Sequence, residues 1–274
     1  MPYLSDCHSH SFFSPDAHES PEAMCARAAE LNLYAYTLTD HCECHEYEGS
    51  TAGFCYAGQS RLAFAEMTAL QENLRGRLHF YKGIELGQPM QNLAAAQEVL
   101  QRDYDFVLAS VHNIRGHEDF YFLTYEDSSE EEIDGILNAY FGEMAEMARW
   151  GKFDSLAHMT YPLRYICGEH GIPVNISRYQ EKITEIFDLL IRNEKALEIN
   201  TSGLRQKIGV TLPDLPLLRQ YYEQGGRLVT IGSDAHRPED LGKGIAEGFA
   251  ALRQAGFTEF AVYENHKPIM LPLS

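Results

Sequence analysis

The sequence predicts a single-domain α/β barrel of about seven parallel strands. The length of 274 residues matches one barrel of roughly 200–250 residues plus loops. A short β-branched or aromatic run precedes a helical pattern seven times along the chain, which favours a parallel sheet. Nearly every predicted strand also ends in His, Asp, Glu or Asn. A closed barrel brings such strand ends to one site, whereas an open sheet does not. We therefore expect one domain over residues 1–274.

Seven strands and seven helices follow from the apolar runs and the residues that begin and end them. The predicted strands are Tyr3–His8, Ala35–Asp40, Leu78–Glu85, Phe106–His112, Ser155–His158, Ala196–Asn200 and Arg227–Asp234. The predicted helices lie near 21–31, 58–75, 91–102, 129–150, 178–193, 213–224 and 240–255. Ser20 is an N-cap before Pro21, and acidic residues follow Ser128 in a first turn. Glu259–Tyr263 is a candidate for a short eighth strand.

Composition limits the partners that this chain can have. Lys and Arg total 22 against 40 Asp and Glu, a net charge of −18 that argues against nucleic-acid backbones and anionic membranes. The first residues show no secretory signal, and no apolar run approaches the length of a membrane span. The six cysteines have no disulfide-framework spacing. These features predict a cytoplasmic protein with reduced thiols.

The first chemical pattern is Asp6-Cys7-His8-Ser9-His10. Alternate residues of a strand share a face, so His8 and His10 present two imidazoles to one point, which suits a divalent metal ion. Asp6 lies on the same face, deeper in the predicted barrel, and is a candidate to accept a hydrogen bond from a ligand imidazole. A His-x-His pair alone is weak evidence for a metal site.

Five further strand ends carry side chains that can bind metal. These side chains are His41, Glu85, His112, His158, Asp234 and His236. Each alone has an ordinary explanation, such as a capping aspartate or a buried, hydrogen-bonded histidine. Their common location at strand ends predicts a multinuclear metal site, in which Glu85 bridges two ions while imidazoles complete each set of ligands.

These motifs make the chain resemble the polymerase and histidinol phosphatase (PHP) family of phosphoesterases. The matching motifs are Asp-x-His-x-His, Thr-Asp-His, an isolated strand-end Glu, Ser-Val-His, a later His and Gly-Ser-Asp-Ala-His. The likeness spans residues 6 to about 247, and six separated motifs match in order. Glu198–Arg205 and Gly232–Gly242 are most similar to the monofunctional histidinol-phosphate phosphatases. The family fold, a distorted seven-stranded (β/α) barrel of the TIM type, agrees with the strand count.

The resemblance implies two to three divalent metal ions. The implied ligands are His8, His10, Glu85 and Asp234 for the first ion, Glu85, His112 and His158 for the second, and His41, His236 and one more residue for the third. Many relatives carry a histidine six residues after the second His of His-x-His, where this chain has Asp16. We favour Asp16 over His18, because Ser20-Pro-Glu then aligns without a gap. Mixed nitrogen and oxygen ligands suit Zn, Mn or Fe alike.

The activity that the resemblance implies is metal-dependent hydrolysis of a phosphomonoester. The most similar members convert L-histidinol phosphate and water into L-histidinol and phosphate in histidine biosynthesis. Two cations about 3.5–4 Å apart reduce the repulsion by the phosphate oxygens and bind a bridging water as hydroxide. Glu85, Asp234 and His236 take the implied catalytic roles. Arg164 and Arg205 are candidate substrate-binding residues, because a guanidinium offers paired donors to a phosphate.

Other functions stay open at this level. The same phosphoesterase chemistry could serve a nucleotide or another small phosphorylated metabolite, and a non-catalytic barrel could keep structural metals. A metal-dependent amidohydrolase barrel also starts with His-x-His, but it usually carries a bridging Lys where this chain has Glu85. No interface patch, and therefore no oligomeric state, is indicated.

Two further groups of residues invite interpretation. Cys42, Cys44 and His45 suggest a separate structural zinc, although four well-placed ligands are not evident and free thiols explain the cysteines better. An acidic pocket would suit the amine and imidazole of histidinol phosphate. The candidates on loops near the site are Glu43, Glu46 and Asp119.

Overall fold

The computed structural model describes residues 3–44 and 57–273. Within these ranges one sheet holds eight strands, and every neighbouring pair is parallel. They are β1 (Ser5–Asp6), β2 (Ala35–Leu38), β3 (His41–Glu43), β4 (His79–Gly87), β5 (Phe106–Ser110), β6 (Ser155–Leu156), β7 (Ala196–Asn200) and β8 (Val229–Gly232). The order is β1-β2-β4-β5-β6-β7-β8, and β3 pairs with the second half of β4.

The two ends of this sheet approach each other. The backbone amide of Cys7 donates to the carbonyl of Ile231 at 2.9 Å, and the amide of Asp234 donates to the carbonyl of His8 at 2.8 Å. These bonds join the segment that follows β1 to the end of β8 and the residues just after it, so the sheet is nearly closed. The predicted distorted (β/α) barrel is confirmed.

Helices connect the strands, as a parallel sheet requires. They are α1 (Pro21–Glu30), α2 (Ala57–Leu74), α3 (Leu93–Val99), α4 (Glu130–Trp150), α5 (Tyr161–Leu163), α6 (Gln180–Arg192), α7 (Leu215–Glu223) and α8 (Ile245–Ala255). The side chain of Ser20 caps α1, as predicted. Ser129 and Glu132 form a capping box at α4, which ends at Gly151 in a left-handed conformation. A π-helical turn, Arg164–Glu169, follows α5.

The strands are buried on both faces, which is typical of parallel sheets covered by helices. All five residues of β5 and all five of β7 are buried. In the described part of the chain, no helix combines the length and the apolar character needed to cross a bilayer.

The predicted eighth strand exists but does not belong to the barrel. It is β9 (Glu259–Glu264), which pairs antiparallel with β10 (Lys267–Pro272) in a separate two-stranded sheet. Asn265 and His266 join the two strands, both at positive φ. Two consecutive left-handed residues form the tight turn that matches the twist of a hairpin. The chain therefore folds back on itself here instead of extending the barrel.

The tip of this hairpin docks at the amino ends of β5 and β6. The amide of His266 donates to the carbonyl of Asp105 at 2.9 Å, and the amide of Asn265 donates to the carboxylate of Asp105 at 3.1 Å. Nδ1 of His266 lies 2.8 Å from a carboxylate oxygen of Asp154. The hairpin thus closes the end of the barrel opposite the predicted site.

We predict that His266→Gln destabilises the protein more at pH 5.5 than at pH 9. The bond to Asp154 raises the pKa of His266, and partial burial opposes that rise. A histidine whose pKa is raised on folding contributes its full stabilisation below the ordinary histidine pKa of about 6.5. This stabilisation is lost as the pH rises through the raised pKa. Urea unfolding of metal-free protein should show that the loss of unfolding free energy is at most about 1 kcal/mol larger at pH 5.5 than at pH 9, since the imidazole is half-exposed. An equal penalty at both pH values would contradict the ion pair.

Candidate metal centre

Glu85 lies at the centre of the site, on the second half of β4, with its side chain 0% exposed. One carboxylate oxygen, Oε1, is 2.9 Å from Nε2 of His158 and 3.0 Å from Nε2 of His112. The other, Oε2, is 2.7 Å from Nδ1 of His41 and 3.4 Å from Nε2 of His8. Imidazoles from four different strand ends therefore surround one carboxylate, as the strand-end pattern predicted.

His8, His10 and Asp234 form a cluster beside Glu85. Nε2 of His8 and Nε2 of His10 are 3.1 Å apart, and Nε2 of His10 is 3.4 Å from Oδ1 of Asp234. All three residues are buried, and their ligand atoms lie within 4.8 Å of one another. The structure thus brings together the residues implied for the first ion.

His112 and His158 form a cluster at Oε1 of Glu85. Their Nε2 atoms are 3.3 Å apart. Glu43 adjoins this cluster, with its Oε1 2.9 Å from Nδ1 of His112. His41, Glu43 and His112 form a further group whose ligand atoms lie within 4.8 Å. Sequence reasoning treated Glu43 only as a contact for the substrate's cationic end. Its position two residues after His41 on β3 was the signal that both side chains share a face.

A third cluster contains His10, His41 and His236. Oδ2 of Asp16 is 3.0 Å from Nε2 of His236, and Oδ1 of Asp16 is 3.7 Å from Nε2 of His41. Asp16 therefore points at this cluster. His18 is exposed and lines a cavity of about 270 Å³ that includes none of the other candidate ligands. This geometry favours Asp16 over His18.

The donor set fits divalent ions. Oε2 of Glu85 and Nδ1 of His41 are buried without a hydrogen-bond partner, although they lie only 2.7 Å apart. Nε2 of His236 is also buried without one. Facing ring nitrogens and unpaired carboxylate oxygens are costly when buried, and a shared cation removes that cost.

The electrostatics keep the carboxylates ionised. Burial alone would raise the pKa of Glu85, but His112, His41 and His8 lower it well below its ordinary value. Burial likewise opposes ionisation of Asp234, and neighbouring imidazoles, led by His8, hold its pKa well below the usual range. These carboxylates are therefore competent metal ligands at neutral pH.

The pKa values of the imidazoles differ according to the charges of their neighbours. Burial lowers the pKa of His10 well below its ordinary value, and His41 and His236 add to this effect, so its ring is neutral and able to bind metal. Burial also opposes charging of His112, but Glu43 and Glu85 raise its pKa to about 10. A bound cation would take over the role of that proton between the carboxylates.

The predicted role of Asp6 is wrong. Its carboxylate accepts hydrogen bonds from the amides of Ser233 at 2.9 Å, Gly242 at 2.9 Å and His8 at 3.3 Å, and it contacts no imidazole among the described residues. The acceptor for His8 is Glu198, whose Oε1 is 2.7 Å from Nδ1. Asp6 instead holds the backbone of the last strand end against the first.

Arg164 and Arg205 lie on either side of Asp234. Nη2 of Arg164 donates to Asp234 at 3.0 Å and to Ser202 at 2.7 Å. Nη2 of Arg205 donates to the carbonyl of Ser233 at 2.8 Å. Nε of Arg164 and Nη1 of Arg205 are buried without a hydrogen-bond partner. Each guanidinium therefore has one nitrogen without a protein acceptor.

The alternative structural zinc gains no support. His45 and Glu46 lie outside the described residues. Over the described ranges, the clusters able to hold a metal contain His, Asp and Glu, and none contains Cys42 or Cys44.

Comparison with known proteins places this geometry in a family. A model of the PHP domain matches residues 6–202. The chain belongs to the PHP family. A probable histidinol-phosphatase of Thermotoga maritima is 29% identical over 259 residues, covering 94% of this chain and 95% of the relative. A histidinol-phosphatase of Lactococcus lactis is 25% identical over 282 residues, covering 96% and 95%.

Two solved structures share the whole fold. The crystal structure of histidinol phosphate phosphatase from Lactococcus lactis, complexed with zinc, L-histidinol and phosphate, superimposes with a TM-score of 0.81 at 25% identity, covering 97% of this chain and 98% of that one. A putative histidinol phosphatase from Listeria monocytogenes gives a TM-score of 0.73 at 18% identity, covering 89% and 99%. The second likeness concerns the fold alone.

We predict that Glu85→Gln lowers the number of divalent ions bound to the protein by at least one. The amide offers a single acceptor where the carboxylate serves two clusters, and it carries no charge to offset the cations. Metal content after dialysis against zinc measures this, with circular dichroism to show that the fold survives. Glu143→Gln is a matched control, because Glu143 is a buried glutamate outside the clusters that accepts from the amide of Arg115 at 2.7 Å. Unchanged metal content in the Glu85 variant would exclude the bridging role.

Proposed function

We propose that this PHP protein is a metal-dependent phosphomonoester hydrolase that converts L-histidinol phosphate and water into L-histidinol and phosphate. The observation that carries the proposal is the likeness along 97% of the chain to a structure that binds zinc, L-histidinol and phosphate. The buried clusters around Glu85 supply the side chains such chemistry needs. The substrate is a small molecule handled in the cytoplasm, which suits the charge of −18 better than nucleic acid does.

We assign the ligands to three positions, as the resemblance to the family implies. The ligands are His8, His10, Glu85 and Asp234 for the first position, Glu85, His112 and His158 for the second, and Asp16, His41 and His236 for the third. Divalent Zn, Mn or Fe at these positions would offset phosphate charge and supply a nucleophile from water at neutral pH. Glu85 and Asp234 orient the adjoining imidazoles toward these positions.

The side chain of His236 is 28% exposed, more than those of the other five candidate ligand histidines. His41, the next most exposed, reaches only 13%. His236 therefore lies where a substrate enters and is placed to contact the phosphate group. Its Nδ1 lies 3.1 Å from the carbonyl oxygen of Asp234, which orients the ring.

Phosphate binding falls to Arg164 and Arg205. Their unpaired donors lie beside Asp234, next to the first position. A guanidinium–phosphate pair is a charge-assisted contact. The guanidinium also makes the local charge positive in a protein that is acidic as a whole. Arg164 also lies over the ring of Tyr161, 5.0 Å from its centroid, which limits its movement.

Asp119 is best placed for the cationic end of the substrate. It lies 2.9 Å from the hydroxyl of Tyr161, whose ring is 4.9 Å from that of His112. Glu43 is already engaged by His112 and by the amide of Gln88 at 2.6 Å. Burial raises the pKa of Asp119, and an ammonium or imidazolium would favour its charged form.

Phosphate release from a panel of substrates tests the proposal. We expect kcat/KM for L-histidinol phosphate to exceed that for adenosine monophosphate or glucose 6-phosphate by about 100-fold or more, since unpaired polar groups in the pocket penalise the wrong organic part. Chelation should abolish turnover, and zinc or manganese should restore it. Equal rates on all three substrates would overturn the assigned substrate, and no release from any monoester would overturn the reaction.

We predict that Arg205→Ala raises KM for L-histidinol phosphate and changes kcat less. Loss of one charge-assisted contact is worth about 1.5–3 kcal/mol, or about 10- to 150-fold in KM. Steady-state kinetics measures both constants. Arg237→Ala is the control, because Arg237 is a nearby arginine whose side chain is 70% exposed and pairs with Asp240. An unchanged KM in the Arg205 variant would remove that residue from the site.

A further inference from the structure

Glu198 is a buried carboxylate that contacts two of the clusters. It lies in the middle of β7, and its side chain is 1% exposed. Its Oε1 is 2.7 Å from Nδ1 of His8, and its Oε2 accepts from the amide of His158 at 2.8 Å. The side-chain amide of Asn200 donates to the same Oε2 at 3.3 Å. Glu198 therefore contacts the side chain of a candidate ligand of the first metal position and the backbone of a candidate ligand of the second.

The neighbouring strand leaves space for this pair. A side chain at Gly232 would place its Cβ 2.2 Å from Cβ of His8 and 2.8 Å from Oε1 of Glu198. Real Cβ atoms do not approach other atoms so closely, so a residue other than glycine would displace His8 from Glu198. The glycine of the Gly-Ser-Asp-Ala-His motif thus protects the contact between the two side chains.

The contact fixes which ring nitrogen of His8 faces the ions. A carboxylate oxygen accepts hydrogen bonds, so Nδ1 of His8 carries the proton and donates it to Glu198. Nε2 then faces the other candidate ligands, since it lies 3.1 Å from Nε2 of His10 and 3.4 Å from Oε2 of Glu85. Carboxylate partners of this kind orient metal-binding histidines and raise their basicity.

We propose that Glu198 is a positioning residue that fixes His8 as a ligand through Nε2 and ties the first metal position to the strand end that carries His158. This inference rests on the metal positions of the proposed function. Its test uses zinc alone and no substrate. Failure of the phosphatase assay with normal zinc binding would therefore count against the function and not against the role of Glu198.

The test compares Glu198→Gln with Asp154→Asn. Glutamine is similar in shape but has one acceptor and one donor, so it cannot accept from both Nδ1 of His8 and the amide of His158. Asp154 is a matched control at the opposite end of the barrel: it also accepts from a backbone amide, that of Val107 at 2.8 Å, and lies 2.8 Å from Nδ1 of His266. We expect Glu198→Gln to weaken zinc binding about 10- to 100-fold in a competition with a chromogenic chelator. Asp154→Asn should leave zinc affinity unchanged.

Thermal unfolding of the metal-free variants shows whether a loss of zinc affinity comes with a loss of stability. This comparison separates a positioning role of Glu198 from a purely structural one. Wild-type zinc affinity in Glu198→Gln, or an equal loss in both variants, would overturn the proposal. A direct measurement covers the case in which Glu198→Gln does not fold. Long-range ¹H–¹⁵N spectra of the zinc-loaded wild type should show His8 protonated at Nδ1, and protonation at Nε2 would also overturn it.

Discussion

Burial of the Glu85 carboxylate is the constraint on which the rest of the site depends. A fully buried charge is tolerated only when opposite charge surrounds it, and here imidazoles from four strand ends approach its two oxygens. Several of those approaches lack the geometry of hydrogen bonds. The arrangement resembles that of ligands around cations, which supports the proposal that the carboxylate is shared between two ions.

The barrel supplies these contacts because parallel strands end at the same side of the sheet. On β5 and β8 the ladder stops before the functional residues: β5 ends at Ser110 and β8 at Gly232, while His112 and Asp234 follow. Asp234 takes a left-handed conformation, φ 54°, that is uncommon outside glycine. Its amide bonds to the carbonyl of His8 at the closure of the barrel, so closing the sheet and placing this ligand depend on each other.

Local pattern was enough to predict the barrel and the candidate ligands, since alternating histidines and polar strand ends are visible in short stretches. The partner of His8 was not predictable in this way. Asp6 is adjacent in sequence, but Glu198, 190 residues away, makes the contact, and which strands become neighbours is set by closure. Glu198 stands in a stretch similar to the phosphatases, but nothing in the sequence pairs it with His8. Similarly, β9 has a strand pattern, but only the left-handed turn at Asn265 and His266 shows that it pairs outside the barrel.

Anomalous scattering from crystals soaked in zinc shows directly whether Glu85 is shared between two cations. Data collected on both sides of the zinc absorption edge locate each ion. We expect one ion at each carboxylate oxygen, about 3.5–4 Å apart, the first beside His8, His10 and Asp234 and the second beside His112 and His158. A single ion, or two ions that Glu85 does not bridge, would contradict it.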